Sequence, residues 1–127
     1  MSLIVDILWI SGFAAVGALA RTGVSAACQK FLGSGFPIGT LVVNVAGCFL
    51  LGWLIAHGLD QTHRRLHLAL GSGFLGSLTT FSTFGMETVT HTQDGDWHLG
   101  ALNIAANLTL GLTAVLLGMY IGMRTRG

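Results

Sequence analysis

A chain of 127 residues that is 52% hydrophobic and 9% charged is not built like a soluble domain, which carries about 25% charged residues. Its net charge of +1 excludes the basic footprint a nucleic-acid partner requires. The mean hydropathy of +0.73 and 19 glycines point to an integral membrane protein whose helices pack closely in lipid.

Four segments are long and apolar enough to cross a bilayer core, which takes about 20 helical residues. The first runs from about Leu3 to Ala27. No positive n-region precedes it, and it is long enough to span, so a cleavable signal peptide is not expected. The loop Gly33-Ser-Gly-Phe-Pro37 has turn chemistry throughout, and Pro37 suits the start of a second helix, about Ile38 to His57. The polar connector Asp60-Gln-Thr-His-Arg-Arg65 leads to a third segment, about Leu66 to His91. After His91-Thr-Gln-Asp-Gly-Asp96, a fourth runs from about Leu99 to Met123. Residues 1–127 therefore form one all-α, four-helix membrane subunit with no soluble domain left over. Arg64, Arg65, Arg124 and Arg126 fall on one side, against Lys30 and Arg21 on the other, which places both termini in the cytoplasm.

The third segment is interrupted. Five of the seven residues from Ser77 to Thr83 carry hydroxyls, and Gly73 and Gly76 precede them. Lipid penalises unsatisfied polar groups and broken backbone unless they line a cavity or meet protein. The spacing predicts a first half-helix ending near Gly76–Leu78, with orphan carbonyls suited to a cation. A second half begins near Thr80–Ser82, with orphan N–H groups suited to an anion. Phe81 and Phe84 share a face of that second half, and their ring edges are partially positive. Phenylalanines three apart usually mean core packing; their place between hydroxyls in a broken span favours a functional role. Enclosing a polar pathway with four short helices, one of them broken, calls for a homo-oligomer, most simply a dimer.

Other polar groups lie at membrane depth. Asn44, with Thr40 four residues before it, is either interhelical glue or a pore donor. Asn103 and Asn107 repeat the pattern in the fourth segment, where Asn107 is the deeper candidate and Gly118/Gly122 suggest close helix packing. Arg21 and Glu87 come to similar depth in two parallel segments, which predicts an ion pair or a shared polar network, with Arg21 attracting anions; the plain alternative is Arg21 snorkelling to the interface. His63 and His67 at i, i+4 read as a wet interfacial face rather than a metal site. Cys28 and Cys48 read as small buried hydrophobes.

These residues together resemble the Fluc/CrcB family of bacterial fluoride channels. The resemblance is carried by Gly39-Thr-Leu-Val-Val-Asn44 and Gly73-Phe-Leu-Gly-Ser-Leu-Thr-Thr-Phe-Ser-Thr-Phe84, followed by Glu87, with Arg21 in the first helix. It implies an antiparallel, dual-topology homodimer in the bacterial cytoplasmic (inner) membrane, with two fluoride pathways. It also implies a structural Na+ at the dimer centre, held by the backbone carbonyls of Gly76 and Thr79. Phe81 and Phe84 match the family's aromatic box and Asn44 its pore asparagine. Ser82, Thr83, Glu87 and Thr40 match its polar track, and Asn107 matches the fourth-helix polar position loosely. Ser77 departs from the glycine many members have there. The arginine bias leaves open a fixed orientation with an oppositely oriented homologous partner.

The reading is a passive fluoride channel that exports the ion and confers fluoride resistance. Two rivals are a small dual-topology multidrug or cation transporter, which needs a carboxylate central to its first helix, and a non-transporting membrane assembly subunit. With no nucleophile–base pair or metal triad to assemble, an enzyme is not expected.

Overall fold

The apolar segments become helices, and glycine decides where they stop. The computed structural model describes residues 2–59 and 63–126. Helix α1 spans Ser2–Leu32 and α2 spans Ile38–His57. A short α3 (Arg64–Leu68) runs into a π-helical stretch, Ala69–Leu75, and a single turn, α4 (Gly76–Leu78). Helices α5 (Phe81–Gln93) and α6 (Trp97–Thr125) follow.

Among the described residues, α1, α2 and α6 are each long and apolar enough to cross a membrane. Their outer faces stay apolar and open, as at Leu19 and Leu116 (73% and 67% exposed). The chain is a multi-pass membrane protein. Helix α1 continues past the expected end at Ala27 because nothing from Cys28 to Leu32 breaks it; the turn comes at Gly33, with φ 81°. Helix α2 has the expected bounds and closes on left-handed Gly58, whose N–H donates to the Ile55 carbonyl at 3.2 Å. Asp60, Gln61 and Thr62 of the expected connector lie outside the described residues.

The third segment is not one helix. Helical geometry stops at Leu78, Thr79 (φ −84°, ψ 154°) and Thr80 (φ −149°, ψ 116°) are extended, and α5 starts at Phe81. The π-helical stretch before this point has no counterpart in the hydrophobic pattern. It is glycine-rich, and its wide turns lie against α1 at bare backbone. A Cβ on Gly17 would overlap the Phe74 carbonyl, and one on Gly73 would press on the Ile10 carbonyl.

A second close approach joins α2 to α6. Gly118 sits over the Phe49 carbonyl and Gly52 over the Val115 carbonyl, with no room for a methyl group at either. This is the small-residue packing that holds helices together where lipid offers no hydrophobic drive. Val43, Leu54, Leu75 and Leu78 form the buried apolar core between α2 and the third segment.

Candidate functional site

Two extended residues interrupt the helical bonding: the Thr79 N–H still donates to the Leu75 carbonyl at 3.1 Å, and the partners taken by the groups that follow define the site. The Thr80 N–H donates to Asn44 Oδ1 at 2.8 Å, and Asn44 Nδ2 donates to the Thr80 carbonyl at 3.3 Å. One amide of α2 thus replaces the helical bond of the Thr80 N–H and adds a second donor to the Thr80 carbonyl. Asn44 Nδ2 also donates to Asn107 Oδ1 on α6 at 3.0 Å. The Thr80 hydroxyl caps α5 by accepting the Thr83 N–H at 3.2 Å, the usual work of an N-cap threonine. The N–H end expected to be left for an anion is therefore closed at one of its donors.

These diversions have a consequence for two carbonyls. In an unbroken helix the Thr80 N–H would bond the Gly76 carbonyl, and the Thr83 N–H would bond that of Thr79. Both donors are engaged elsewhere, so Gly76 and Thr79 present carbonyl oxygens without their helical partners. Such oxygens suit a hard cation, and they are the pair expected to hold Na+.

Gly76, Thr79, Asn44, Asn107, Phe81 and Phe84 all line one cavity of about 330 Å³. The carbonyl end and the aromatic end of the interruption are thus neighbours rather than separate places. The two rings lie 5.5 Å apart and tilted by 53°. Phe81 is 82% exposed, so the cavity's aromatic side stands open in the single chain.

The polar track lies toward the α1–α2 loop. Thr40, buried, donates its hydroxyl proton to Glu87 Oε1 at 2.7 Å, while Glu87 Oε2 is buried with no hydrogen-bond partner. Thr40, Thr83, Glu87 and His91 share a cleft of about 510 Å³. On its other side Arg21 lines a hollow of about 340 Å³ with Thr40, Thr80 and Thr83. The Thr80 hydroxyl donates to Thr83 Oγ1 at 3.0 Å, and Ser82 Oγ lies 3.3 Å from Thr80 Oγ1. Thr83 therefore keeps its own proton free to donate.

The expected Arg21–Glu87 ion pair does not form; the salt bridges among the described residues are Arg64 and Arg65 to Asp6. The two groups instead flank Thr40 and Thr83 from adjoining cavities, which leaves the shared polar neighbourhood without the direct contact.

Three features escaped the sequence reading. Asp6 is a buried carboxylate in α1, held by Arg64 Nη1 at 3.0 Å and Arg65 Nε at 2.8 Å. The signal was available, since parallel first and third segments bring their starting residues to the same side. This pairing near the helix start also leaves Asp6 spoken for, unlike the central carboxylate a cation transporter needs. Asn103 is fully buried and bonds both Asn107 and Thr88; its i, i+4 spacing from Asn107 was the clue. His67, expected on a wet face, is half-buried with Nδ1 away from any partner.

The chain matches the family model described as CrcB-like protein, Camphor Resistance (CrcB), over residues 8–119. It is 45% identical over 119 residues to a protein of Dehalococcoides mccartyi named fluoride-specific ion channel FluC, covering 92% of each chain. Proteins of the same name from Shewanella amazonensis and Acidobacterium capsulatum are each 42% identical. They cover 91% and 92% of this chain, and 94% and 95% of their own.

Proposed function

We propose that this chain, which belongs to the CrcB family, is a fluoride-selective passive channel that exports the ion across the cytoplasmic membrane. It is not an enzyme. The observation that carries the reading is the convergence of two asparagine amides, two phenylalanine rings and two carbonyls without their helical partners on one cavity beside an interrupted helix.

A small hydrated anion is costly to strip of water, so many weak donors must replace its shell. Thr83 offers a hydroxyl in the adjoining cleft, with Ser82 one residue before it, and Phe81 and Phe84 offer ring edges. Asn44 spends its N–H groups on the Thr80 carbonyl and on Asn107, so its first task is to hold the interruption open. Arg21, half-buried in a hollow reaching Thr83, raises the local anion concentration without standing in the cavity. Among the described residues, no Lys or Arg side chain lines the cavity to trap the ion there.

The dimer belongs to the same reading. Phe81 is left largely bare by one chain, and a second copy, antiparallel and in the opposite topology, supplies the missing wall of each of two pores. The Gly76 and Thr79 carbonyls would hold a structural Na+ at the two-fold. One chain gives two oxygens and two copies give four, nearer the roughly six a hard cation takes, so the ion itself calls for both copies. It would brace the paired interruptions and takes no part in conduction.

Fluoride efflux from liposomes containing the purified protein, with chloride as the control anion, tests the function. Fluoride-selective flux is expected, and its absence overturns the reading. Phe84→Ile should lower flux while the dimer persists on size exclusion.

A further inference from the structure

Asn103 lines none of the cavities described above, yet it is 0% exposed and donates and accepts hydrogen bonds in the second turn of α6. A buried amide that touches no pathway must be satisfied by what it holds in place. Its bonds form part of a series whose direction is fixed at both ends by backbone groups. The Thr80 N–H can only donate, so Asn44 turns Oδ1 to it and Nδ2 away, toward Asn107. The Asn103 backbone carbonyl can only accept, so Asn107 turns Nδ2 to it at 2.9 Å and Oδ1 toward Asn44. The two requirements agree, and no amide in the series can be reversed without breaking it.

Beyond Asn107 the series continues in the same sense. Asn107 Nδ2 also reaches Asn103 Oδ1 at 3.0 Å, which turns Asn103 Nδ2 to Thr88 Oγ1 at 3.0 Å. The Thr88 proton then goes to the Phe84 carbonyl at 2.8 Å. The series therefore leaves the third segment at Thr80, crosses α2 and α6, and returns to it at Thr88 and Phe84. The residues enclosed between its two ends are the first turns of α5, which carry Phe81 and Phe84.

We infer that Asn103 is a positioning residue: with Thr88 it clamps the first turns of α5 to α6 and so sets where the Phe84 ring stands at the cavity. Asn44 fixes one end of the enclosed stretch and Asn103 the other. Buried hydrogen-bonded networks of this kind specify one arrangement because a partly broken one leaves orphaned polar groups. The effect on flux rests on the proposed fluoride route; the effect on the backbone does not.

The full-length dimer in lipid nanodiscs supplies the test, read by amide hydrogen exchange over residues 80–88. Asn103→Leu and Thr88→Val should each speed exchange there by about tenfold, the equivalent of one buried hydrogen bond, while Thr88→Ser, which keeps the hydroxyl, should exchange as wild type. Wild-type exchange in both disruptive variants, or equal acceleration in Thr88→Val and Thr88→Ser, overturns the clamp. Flux gives an independent readout through a double-mutant cycle with Phe84→Ile. Thr88→Val should lower fluoride flux in the wild-type background and lower it no further once Phe84 is gone. Losses that multiply would mean that Thr88 acts on the fold at large and not through Phe84. A wild-type protein with no fluoride flux would overturn the proposed function and leave the exchange result to decide the clamp.

Discussion

Replacing Asn44 with leucine separates two jobs an intramembrane asparagine can have. The side chain makes three hydrogen bonds: it accepts from the Thr80 N–H and donates to the Thr80 carbonyl and to Asn107 Oδ1. Thr80 is 7% exposed, so water does not replace the lost partners at the backbone. Each buried group left unpaired costs about 1–3 kcal/mol, and Asn44→Leu orphans the Thr80 N–H and Asn107 Oδ1 and takes one donor from the Thr80 carbonyl. Polar bonds between membrane helices average only about 0.6 kcal/mol, because the unfolded chain also finds partners. The net loss is therefore placed at about 2–5 kcal/mol, toward the low end of the summed penalties. Asn44→Asp keeps an acceptor for the Thr80 N–H and should fall between wild type and leucine. The assay is thermal unfolding of the purified protein followed by size exclusion, alongside liposome flux. A leucine variant that melts as wild type but loses flux would show that Asn44 acts on the ion and not on the backbone. Wild-type behaviour in both assays would refute the role derived from its bonds.

Gly118→Ala should destabilise the fold by about 1–3 kcal/mol, the usual cost of overpacking, because the new methyl falls on the Phe49 carbonyl and near the Trp53 N–H. Gly12→Ala, which meets open space, should melt as wild type, and equal effects at the two positions would count against the seam. Arg21→Gln and Glu87→Gln should each lower flux, and their losses should add within about 0.5 kcal/mol, as for groups that make no direct contact. A double variant no worse than the poorer single one would restore the ion pair that the geometry lacks. Asp6→Asn should lower the melting temperature by weakening the hold of both arginines on α1, and a second substitution, Arg65→Gln, should then have less effect than in the wild-type background.

Much of the fold was legible in the order of residues. A bilayer requires long apolar helices, and α2 took the predicted bounds because Pro37 and Gly58 punctuate both its ends. The interruption at Thr79–Thr80 was legible because hydroxyls and glycines at that depth have no other good explanation. Phe81 and Phe84 followed from helical spacing. Membership of the CrcB family was readable from Gly39–Asn44 and Gly73–Phe84 together with Glu87 and Arg21.

What the sequence did not carry were pairings between helices that are distant in the chain. The partner of Glu87 is the Thr40 hydroxyl and not Arg21, because helix rotation, which depth arithmetic along the axis ignores, decides which side chains face each other. For Asp6 the parallel run of the first and third segments gave the side of the membrane, but only helix rotation turns it to Arg64 and Arg65. The π-helical turns of Ala69–Leu75 depend on α1 offering bare backbone at Gly17 to the Phe74 carbonyl, a fit between two surfaces that no single segment contains. Local chemistry, written in periodicity and composition, thus determined that the chain crosses a membrane and where it breaks. Only the packing of α2 and α6 around that break decided how Asn44, Asn107 and Asn103 spend their amides, since a hydrogen bond is a property of two groups in space and not of either one in sequence.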